Sequence, residues 1–291
     1  MATVAQWMAG ARVRTLPNSI SPVLVGAGAA VAINGFVWWQ AVLALIVALA
    51  FQVGVNYAND YSDGIRGTDT ERVGPLRLVG SGLVPPGAVR TAAFACFGVA
   101  CLAGLGLVIS SGQWWLIAVG IVCLLGAWYY TGGKNPYGYI GLGELAVFLF
   151  FGPVPVLGTI YAQTGQISWL AATASVALGS FSAAVLAANN LRDRPTDAES
   201  GKHTMAVRLG DKGARTFYSV LALIPFVVTF ALTFIASPWF LLGLFAALKI
   251  SPCIRSVYSG AVGPALIPVL KDTAVAMLIW AVATTVAAIV S

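Results

Sequence analysis

The sequence predicts an all-α, polytopic membrane protein of about nine transmembrane helices. Three observations carry this. Of 291 residues, 59% are apolar and 9% are charged, and the mean hydropathy is +0.87, a balance that no ordinary soluble domain uses. Apolar stretches of about 20 residues, the length that crosses a hydrocarbon core, recur throughout. The charges gather between alternate stretches. The chain therefore reads as a single transmembrane domain over residues 1–291.

In chain order the spans are 16–34, 38–60, 90–110, 113–131, 140–162, 167–192, 213–236, 237–251 and 265–290. The first follows Arg12 and Arg14 and lacks a small-residue cleavage site, so it reads as a retained helix and not as a signal peptide. The eighth is short and precedes Pro252, which predicts a tilt, a break or a continuation past the proline. The 32 glycines are spread through the spans, where small residues let helices approach closely. Trp38, Trp39, Trp114, Trp115, Trp169 and Trp239 cluster near uncharged turns and suit an interfacial belt. Cys96, Cys101, Cys123 and Cys253 show no paired spacing and read as small buried hydrophobes.

The sixteen Lys and Arg fall at 12 and 14, within 66–90, at 134, within 192–215, and at 249, 255 and 271. With nine spans all of these lie on one side, whereas the turns near 34–37, 110–113, 162–167 and 236–238 carry no charge. The positive-inside rule makes the charged side cytoplasmic, which puts the N-terminus inside and the C-terminus outside an integral cytoplasmic membrane protein. The net charge of +6 reads as orientation plus an anion-binding face. With no soluble basic domain, nucleic acid is a poor partner. Two connections are long, about 61–89 and 193–212, and long loops in a compact protein usually carry function.

The chain has ten acidic residues, and two groups of them follow matching asparagines: Asn56-Tyr-Ala-Asn59-Asp60-Tyr-Ser-Asp63 and Asn189-Asn190-Leu-Arg-Asp193-Arg-Pro-Thr-Asp197. On a helix each Asn-x-x-x-Asp pair shares a face, and Asp63 or Asp197 extends it. Each group thus offers a column of hard oxygens at a helix end. Mg2+ prefers such oxygens and is commonly completed by substrate phosphates, so Asn56, Asp60 and Asp63, with Asn189, Asp193 and Asp197, are candidate metal ligands, and the four aspartates are candidate catalytic groups. Further acids lie at Asp69 and Glu199. A single acid at a helix end is commonly only a cap. Two matched columns among ten acids are not explained that way.

Cations accompany the acids. Arg66, Arg72 and Arg77 follow the first column; Arg192, Arg194, Lys202 and Arg208 surround the second; Lys134 sits in Thr131-Gly132-Gly133-Lys134-Asn135-Pro136. Arg66, Arg72, Lys134, Lys202 and Arg208 are candidates for neutralising a diphosphate bridging two Mg2+ ions. Each is also open to the plainer reading of a topogenic anchor. Arg12, at the mouth of the first helix, has the bidentate fork that suits a substrate carboxylate. His203 is the only histidine and cannot build a metal site alone. No phosphate-binding P-loop and no G-x-S-x-G elbow occurs.

Residues 56–69 (NYANDYSDGIRGTD), 130–144 (YTGGKNPYGYIGLGE) and 189–210 (NNLRDRPTDAESGKHTMAVRLG) resemble the UbiA superfamily of intramembrane prenyltransferases, and within it the branch that prenylates 1,4-dihydroxy-2-naphthoate. The resemblance implies a nine-helix bundle with a capped cavity and Mg2+-dependent transfer from a polyprenyl diphosphate, with loss of CO2 and formation of demethylmenaquinol. It assigns one metal to Asn56, Asp60 and Asp63 and the other to Asn189, Asp193 and Asp197. Where the wider pattern has an acid four residues after its first Asp, this chain has Gly64, which leaves open whether Asp63 or Asp69 completes the first site. Acceptors such as 4-hydroxybenzoate or homogentisate fit the same superfamily. From another class, a secondary transporter with intramembrane carboxylates competes, but acids at helix ends beside basic loops favour an enzyme. A CDP-alcohol phosphotransferase is disfavoured because its DG-x-x-AR pattern is missing after Asp63-Gly64.

Overall fold

A computed structural model gives the fold and describes residues 2–67 and 76–291. It is all-helical among those residues. A short entry helix α1 (Val4–Gly10) begins with a capping box, Thr3 accepting from the Gln6 amide and Gln6 returning the bond. Helix α2 (Pro17–Ala32) follows at 49° to the α1 segment, with Arg12 at the elbow in the left-handed region, φ 53°. Then come α3 (Trp38–Arg66), α4 (Pro86–Ser111), α5 (Leu116–Tyr129), α6 (Gly143–Phe151), α7 (Pro153–Thr164), α8 (Trp169–Glu199), α9 (Met205–Ile235), a 3-10 segment (Pro238–Ala246) running into α10 (Ala247–Tyr258), and α11 (Ile267–Val290).

Seven of these units are long and apolar enough to cross a membrane, and the bent α1–α2 pair makes an eighth. The expectation of nine differs at residues 113–131. There the helix is α5, only 14 residues, or about 21 Å at 1.5 Å per residue, because a tryptophan-rich turn starts late and Thr131-Gly132 ends it early. The segment near 237–251 does continue past Pro252, to Tyr258. The cap loops are also shorter than 61–89 and 193–212. Helix α3 stays helical to Arg66, α8 runs through Pro195 to Glu199, and a short helical turn from Met205 leads to a non-helical break at Gly210, after which the long part of α9 begins. Mid-sequence prolines and charges therefore mark helix ends that project beyond the apolar stretch, and the helices do not stop at its edge.

Helix α8 is the hub. About two-thirds of its apolar window is buried, and it packs against α9, α6, α11, α7 and α2. Small residues make this geometry accessible: Ala171, Ala174, Ala177, Gly179, Ala184 and Ala188 are each fully covered or nearly so. In lipid, where helices gain little from hiding apolar surface from one another, such close approach supplies the attraction. The tightest point joins the α6–α7 break to α8, where a methyl on Gly152 would lie 2.6 Å from the Gly179 backbone and from the Ser175 carbonyl. The ring of helices closes where α2 lies on α11, Gly28 against Thr285.

Substituting Gly152 by Ala is expected to force α6–α7 off α8 and destabilise the protein by about 1–3 kcal/mol. Thermal melting in detergent, followed by tryptophan fluorescence, should show a clear drop. Gly98→Ala, at a position with open space around it, should leave the transition where it is.

Candidate active site

A cavity of about 640 Å3 lies inside the bundle, apolar along most of its wall and polar at one end. The polar end is built where α3 and α8 emerge. Asn56, Asn59 and Asp63 line it from α3, and Asn189, Asn190 and Asp197 from α8. Asn56 and Asp63 are seven residues apart, and so are Asn190 and Asp197. Two turns bring such positions back to within about 20° of one another, whereas a four-residue step swings about 40° to the side. The seven-residue pairs Asn56/Asp63 and Asn190/Asp197 therefore face the cavity together, with Asn59 and Asn189 beside them, whereas Asp60 and Asp193 are displaced from it.

This displacement separates the four candidate aspartates into two pairs. Asp60 does not line the cavity; it is fully buried and accepts from the amides of Leu78 at 2.7 Å and Val79 at 3.1 Å. It anchors the cap segment that follows α3. Asp193 likewise lies off the cavity, clasped by Arg192 through Nε and Nη2, both at 2.7 Å, with Asn189 Nδ2 at 3.4 Å. Asp63 and Asp197 face the cavity and share one cation. Lys202 Nζ is 3.8 Å from Asp63 and 3.9 Å from Asp197, and it sits 4.6 Å from the centre of the Tyr139 ring. Asp63 also accepts from the Tyr139 hydroxyl and lies 3.4 Å from Arg77 Nη2.

Lys202 reaches this point through local backbone chemistry. Gly201 takes φ 71°, a left-handed turn that glycine adopts without penalty. The turn lets the Lys202 amide donate to the Asp197 carbonyl and the His203 amide to the Tyr139 carbonyl, both at 2.8 Å. The second half of the chain is thereby sewn to the 131–141 loop. On the opposite side Asn56 donates to the Ala11 carbonyl at 2.9 Å and to Thr15 Oγ1 at 3.2 Å. Both amide hydrogens are then used, which leaves its oxygen as the remaining polar atom.

Other candidate residues divide in the same way. Arg12 lines the cavity beside Thr15 and Asn18. Arg66 does not; its guanidinium donates to the Thr131 and Gly133 carbonyls and lies over the Tyr139 ring, so it shapes the loop in place of touching a ligand. Lys134 is exposed and outside the lining, and Arg208 is exposed and bonded to the His203 carbonyl at 3.1 Å. Arg72 and Asp69 lie outside the described residues. Tyr139, Asn59 and Asn190 carried no role in the sequence reading. The seven-residue spacing was the signal for Asn190; Tyr139 lay inside the 130–144 motif, and only its meeting with Asp63 was hidden, because the two are distant in sequence.

Among the described residues no three His, Cys, Asp or Glu side chains form a metal cage. The donors that do converge are hard oxygens, two carboxylates and several amides, which match a cation such as Mg2+ that takes one or two carboxylates and completes its shell with phosphate oxygens and water. The residues present therefore fit Mg2+ held jointly with a phosphorylated ligand. Two aspartates and a lysine at the polar end of a greasy cavity match an anionic head with an apolar tail.

The UbiA prenyltransferase family model matches residues 19–261. The chain belongs to the UbiA prenyltransferase family. It is 56% identical over 283 residues to the 1,4-dihydroxy-2-naphthoate octaprenyltransferase of Mycobacterium tuberculosis, covering 97% of this chain and 96% of that one. The Bacillus subtilis protein of the same name is 30% identical, with 90% and 85% covered. Among solved structures, the UbiA homologue from Aeropyrum pernix superposes with a TM-score of 0.74 at 16% identity over 92% of this chain and 97% of that one. The homologue from Archaeoglobus fulgidus, solved with DMAPP and Mg2+, gives 0.68 at 15% identity over 98% and 99%. The UbiA fold is therefore shared at identities where sequence alone says little, and the chain is an integral membrane prenyltransferase.

Asp60→Ala is expected to release the Leu78 and Val79 amides. Hydrogen exchange there should accelerate by about tenfold or more, in keeping with the roughly 1–3 kcal/mol of leaving buried donors unpaired. Asp63→Ala should leave those two amides as protected as in the wild type.

Proposed function

We propose that the chain transfers a polyprenyl group from polyprenyl diphosphate to 1,4-dihydroxy-2-naphthoate, with loss of CO2, giving demethylmenaquinol for menaquinone biosynthesis. The observation that carries the reading is the Asp63–Lys202–Asp197 constellation at the polar end of an apolar cavity, in a chain whose similarity to naphthoate prenyltransferases runs nearly end to end. An ion-coupled transporter would use its carboxylates near the midplane. Here they stand at projecting helix ends under a basic cap.

In this reading Asn56 with Asp63, and Asn190 with Asp197, would hold two Mg2+ ions together with the substrate diphosphate. When bound, Mg2+ supplies positive charge against the departing diphosphate. Lys202 and Arg77 neutralise its remaining oxygens; the ammonium that now lies between two carboxylates is well placed to shift its contacts to phosphate. Asp60 and Asp193 act one step back, fixing the cap segment and the end of α8. As the carbon–oxygen bond opens, allylic cation character develops. Phe51, Tyr130, Tyr137 and Phe150 in the cavity wall keep water away and offer ring faces to that charge. Arg12 pairs with the acceptor carboxylate, and the electron-rich ring attacks through the carbon that bears it. Loss of CO2 returns the bonding pair to the ring. Burial pushes the Tyr137 hydroxyl up to about 12, so it stays protonated throughout the physiological range.

The basic cap and the head of the cavity face the cytoplasm in this proposal. In a cysteine-free background, an impermeant thiol reagent applied outside cells should modify Gln166→Cys and leave Ser200→Cys untouched; the opposite pattern refutes the orientation.

Membranes containing the protein, given Mg2+, a labelled polyprenyl diphosphate and a panel of aromatic acids, should yield product with 1,4-dihydroxy-2-naphthoate. EDTA should stop the reaction and Mg2+ restore it. Asp63→Ala and Asp197→Ala should each abolish transfer while the protein stays inserted. Turnover near the wild-type rate in both variants would remove the two-metal assignment.

Donor and acceptor recognition separate kinetically. Lys202→Ala should raise the KM for the prenyl diphosphate by the equivalent of about 1.5–3 kcal/mol with little change for the aromatic acid, and Arg12→Ala should show the reverse bias. Steady-state rates with both substrates varied provide the check; equal effects on both constants would return Arg12 to the role of an anchor.

A further inference from the structure

Four asparagines line the polar end of the cavity, Asn56 and Asn59 on α3 and Asn189 and Asn190 on α8, and their oxygens are not equivalent. The Asn59 oxygen accepts from the Thr131 hydroxyl at 2.8 Å, and the Asn189 oxygen accepts from Arg192 Nη2, also at 2.8 Å. Asn56 and Asn190 are held instead by the nitrogen end of the amide. Asn56 Nδ2 donates to the Ala11 carbonyl and to Thr15, and Asn190 Nδ2 donates to Glu144 Oε1 at 2.9 Å. Among the described residues nothing donates to the oxygen of either one. These are the two asparagines that stand seven positions before Asp63 and Asp197.

Glu144 is the one acid of the 130–144 motif and lies in the first turn of α6. It is 4% exposed and does not line the cavity. Helices α6 and α8 come close where it meets Asn190, for a methyl on the neighbouring Gly143 would lie 3.3 Å from Leu186 Cδ2. An acid in a first turn is ordinarily explained by the positive end of its own helix. Two features go beyond that. The carboxyl reaches across to another helix and spends one oxygen on Asn190. The other oxygen, Oε2, is buried without a partner, and no Lys or Arg among the described residues stands within ion-pair reach of it. A carboxyl so placed is costly unless some charge answers it.

We propose that Glu144 is a positioning residue for a divalent cation: it holds the Asn190 amide by its nitrogen, so that the carbonyl oxygen is presented to a cation at Asp197. Turned end for end, the amide would set its oxygen against a carboxyl oxygen, two acceptors face to face, so the pairing fixes which end the cavity sees. The cation in turn supplies the charge that the buried carboxyl lacks, with the amide dipole aligned between the two. Carboxylates behind metal ligands act in this way, orienting the ligand and raising its basicity. Glu144 touches neither substrate nor cation. The inference rests on the prenyl-transfer reading, with its cation between Asn190 and Asp197. It adds the residue that stands behind that site, as Ala11 and Thr15 stand behind Asn56.

The test reads cation binding apart from turnover. Purified protein in detergent is titrated with Mn2+ in the presence of inorganic pyrophosphate, and the paramagnetic resonance of free Mn2+ reports uptake. Glu144→Leu is expected to raise the half-saturating Mn2+ concentration by about tenfold or more, the usual effect of losing a carboxylate behind a ligand. Glu144→Gln, whose carbonyl can still accept from Asn190, should stay within about threefold of wild type. Asn190→Ala should weaken uptake as Glu144→Leu does, and combining the two should weaken it no further, because both act through one contact. A melting temperature near that of the wild type reports that each variant is folded. Wild-type affinity in Glu144→Leu, or additive losses in the double variant, overturns the assignment. If Glu144→Leu does not fold, Glu144→Met replaces it; failure of both to fold while Glu144→Gln folds assigns the pair to holding α6 on α8 and overturns the positioning role. Absence of Mn2+ uptake by the wild-type protein is a different failure, and it strikes the metal assignment of the prenyl-transfer reading itself.

Discussion

An ammonium suspended between two carboxylates from opposite halves of the chain is the constraint on which the rest of the site depends. Lys202, Asp63 and Asp197 are all largely buried, where an unpaired charge is heavily penalised. Satisfying them demands that α3, α8 and the turn after α8 converge to within one side-chain length. The neighbouring structure serves that convergence. Gly201 reverses the chain, Tyr139 supplies a hydroxyl to one carboxylate and a ring face to the lysine, and Arg66 holds the loop that carries Tyr139. The same three charges are also those best able to exchange partners when a diphosphate and its metal arrive. In the proposed reaction, this pairing is the one that ligand binding would rearrange.

Convergence at one end is set by packing at the other. Because α8 presents alanine and glycine to five neighbours, its axis lies close to theirs, and the direction in which it projects from the bundle is fixed by many short contacts. Asn189, Asn190 and Asp197 occupy the last turns of that projection. A loop could carry the same residues, but it would leave their separation from α3 to solvent and entropy. A rigid helix end makes the spacing of the two acids a property of the fold.

Membrane character, span positions and the two acidic groups were legible in the sequence because each rests on a local quantity: apolar length, charge placement, a repeated short motif. Which of the aspartates line the cavity was not. Asp60 and Asp193 look identical to Asp63 and Asp197 in any pattern of residue types, and only the two-turn register against a cavity wall separates them. The partners that absorb the first pair come from elsewhere, the Leu78 and Val79 amides for Asp60, or from an adjacent guanidinium for Asp193. The pairing of Tyr139 with Asp63 was hidden for the same reason, the two being 76 residues apart in sequence. The span count differed where hydropathy persists but the helix does not, at the 14-residue α5. Apolar composition reports affinity for lipid and is silent on where backbone turns.

The closure of the helix ring by α2 against α11 bears on how such a protein is made. These two helices are separated by more than two hundred residues of chain, so the wall they complete is absent while the ribosome is still delivering the later spans. Until α11 arrives and Gly28 meets Thr285, the polar groups of the nascent bundle face an open side. The chamber wall is in that sense the last thing the chain acquires, and its closure waits on the contact of α2 with α11.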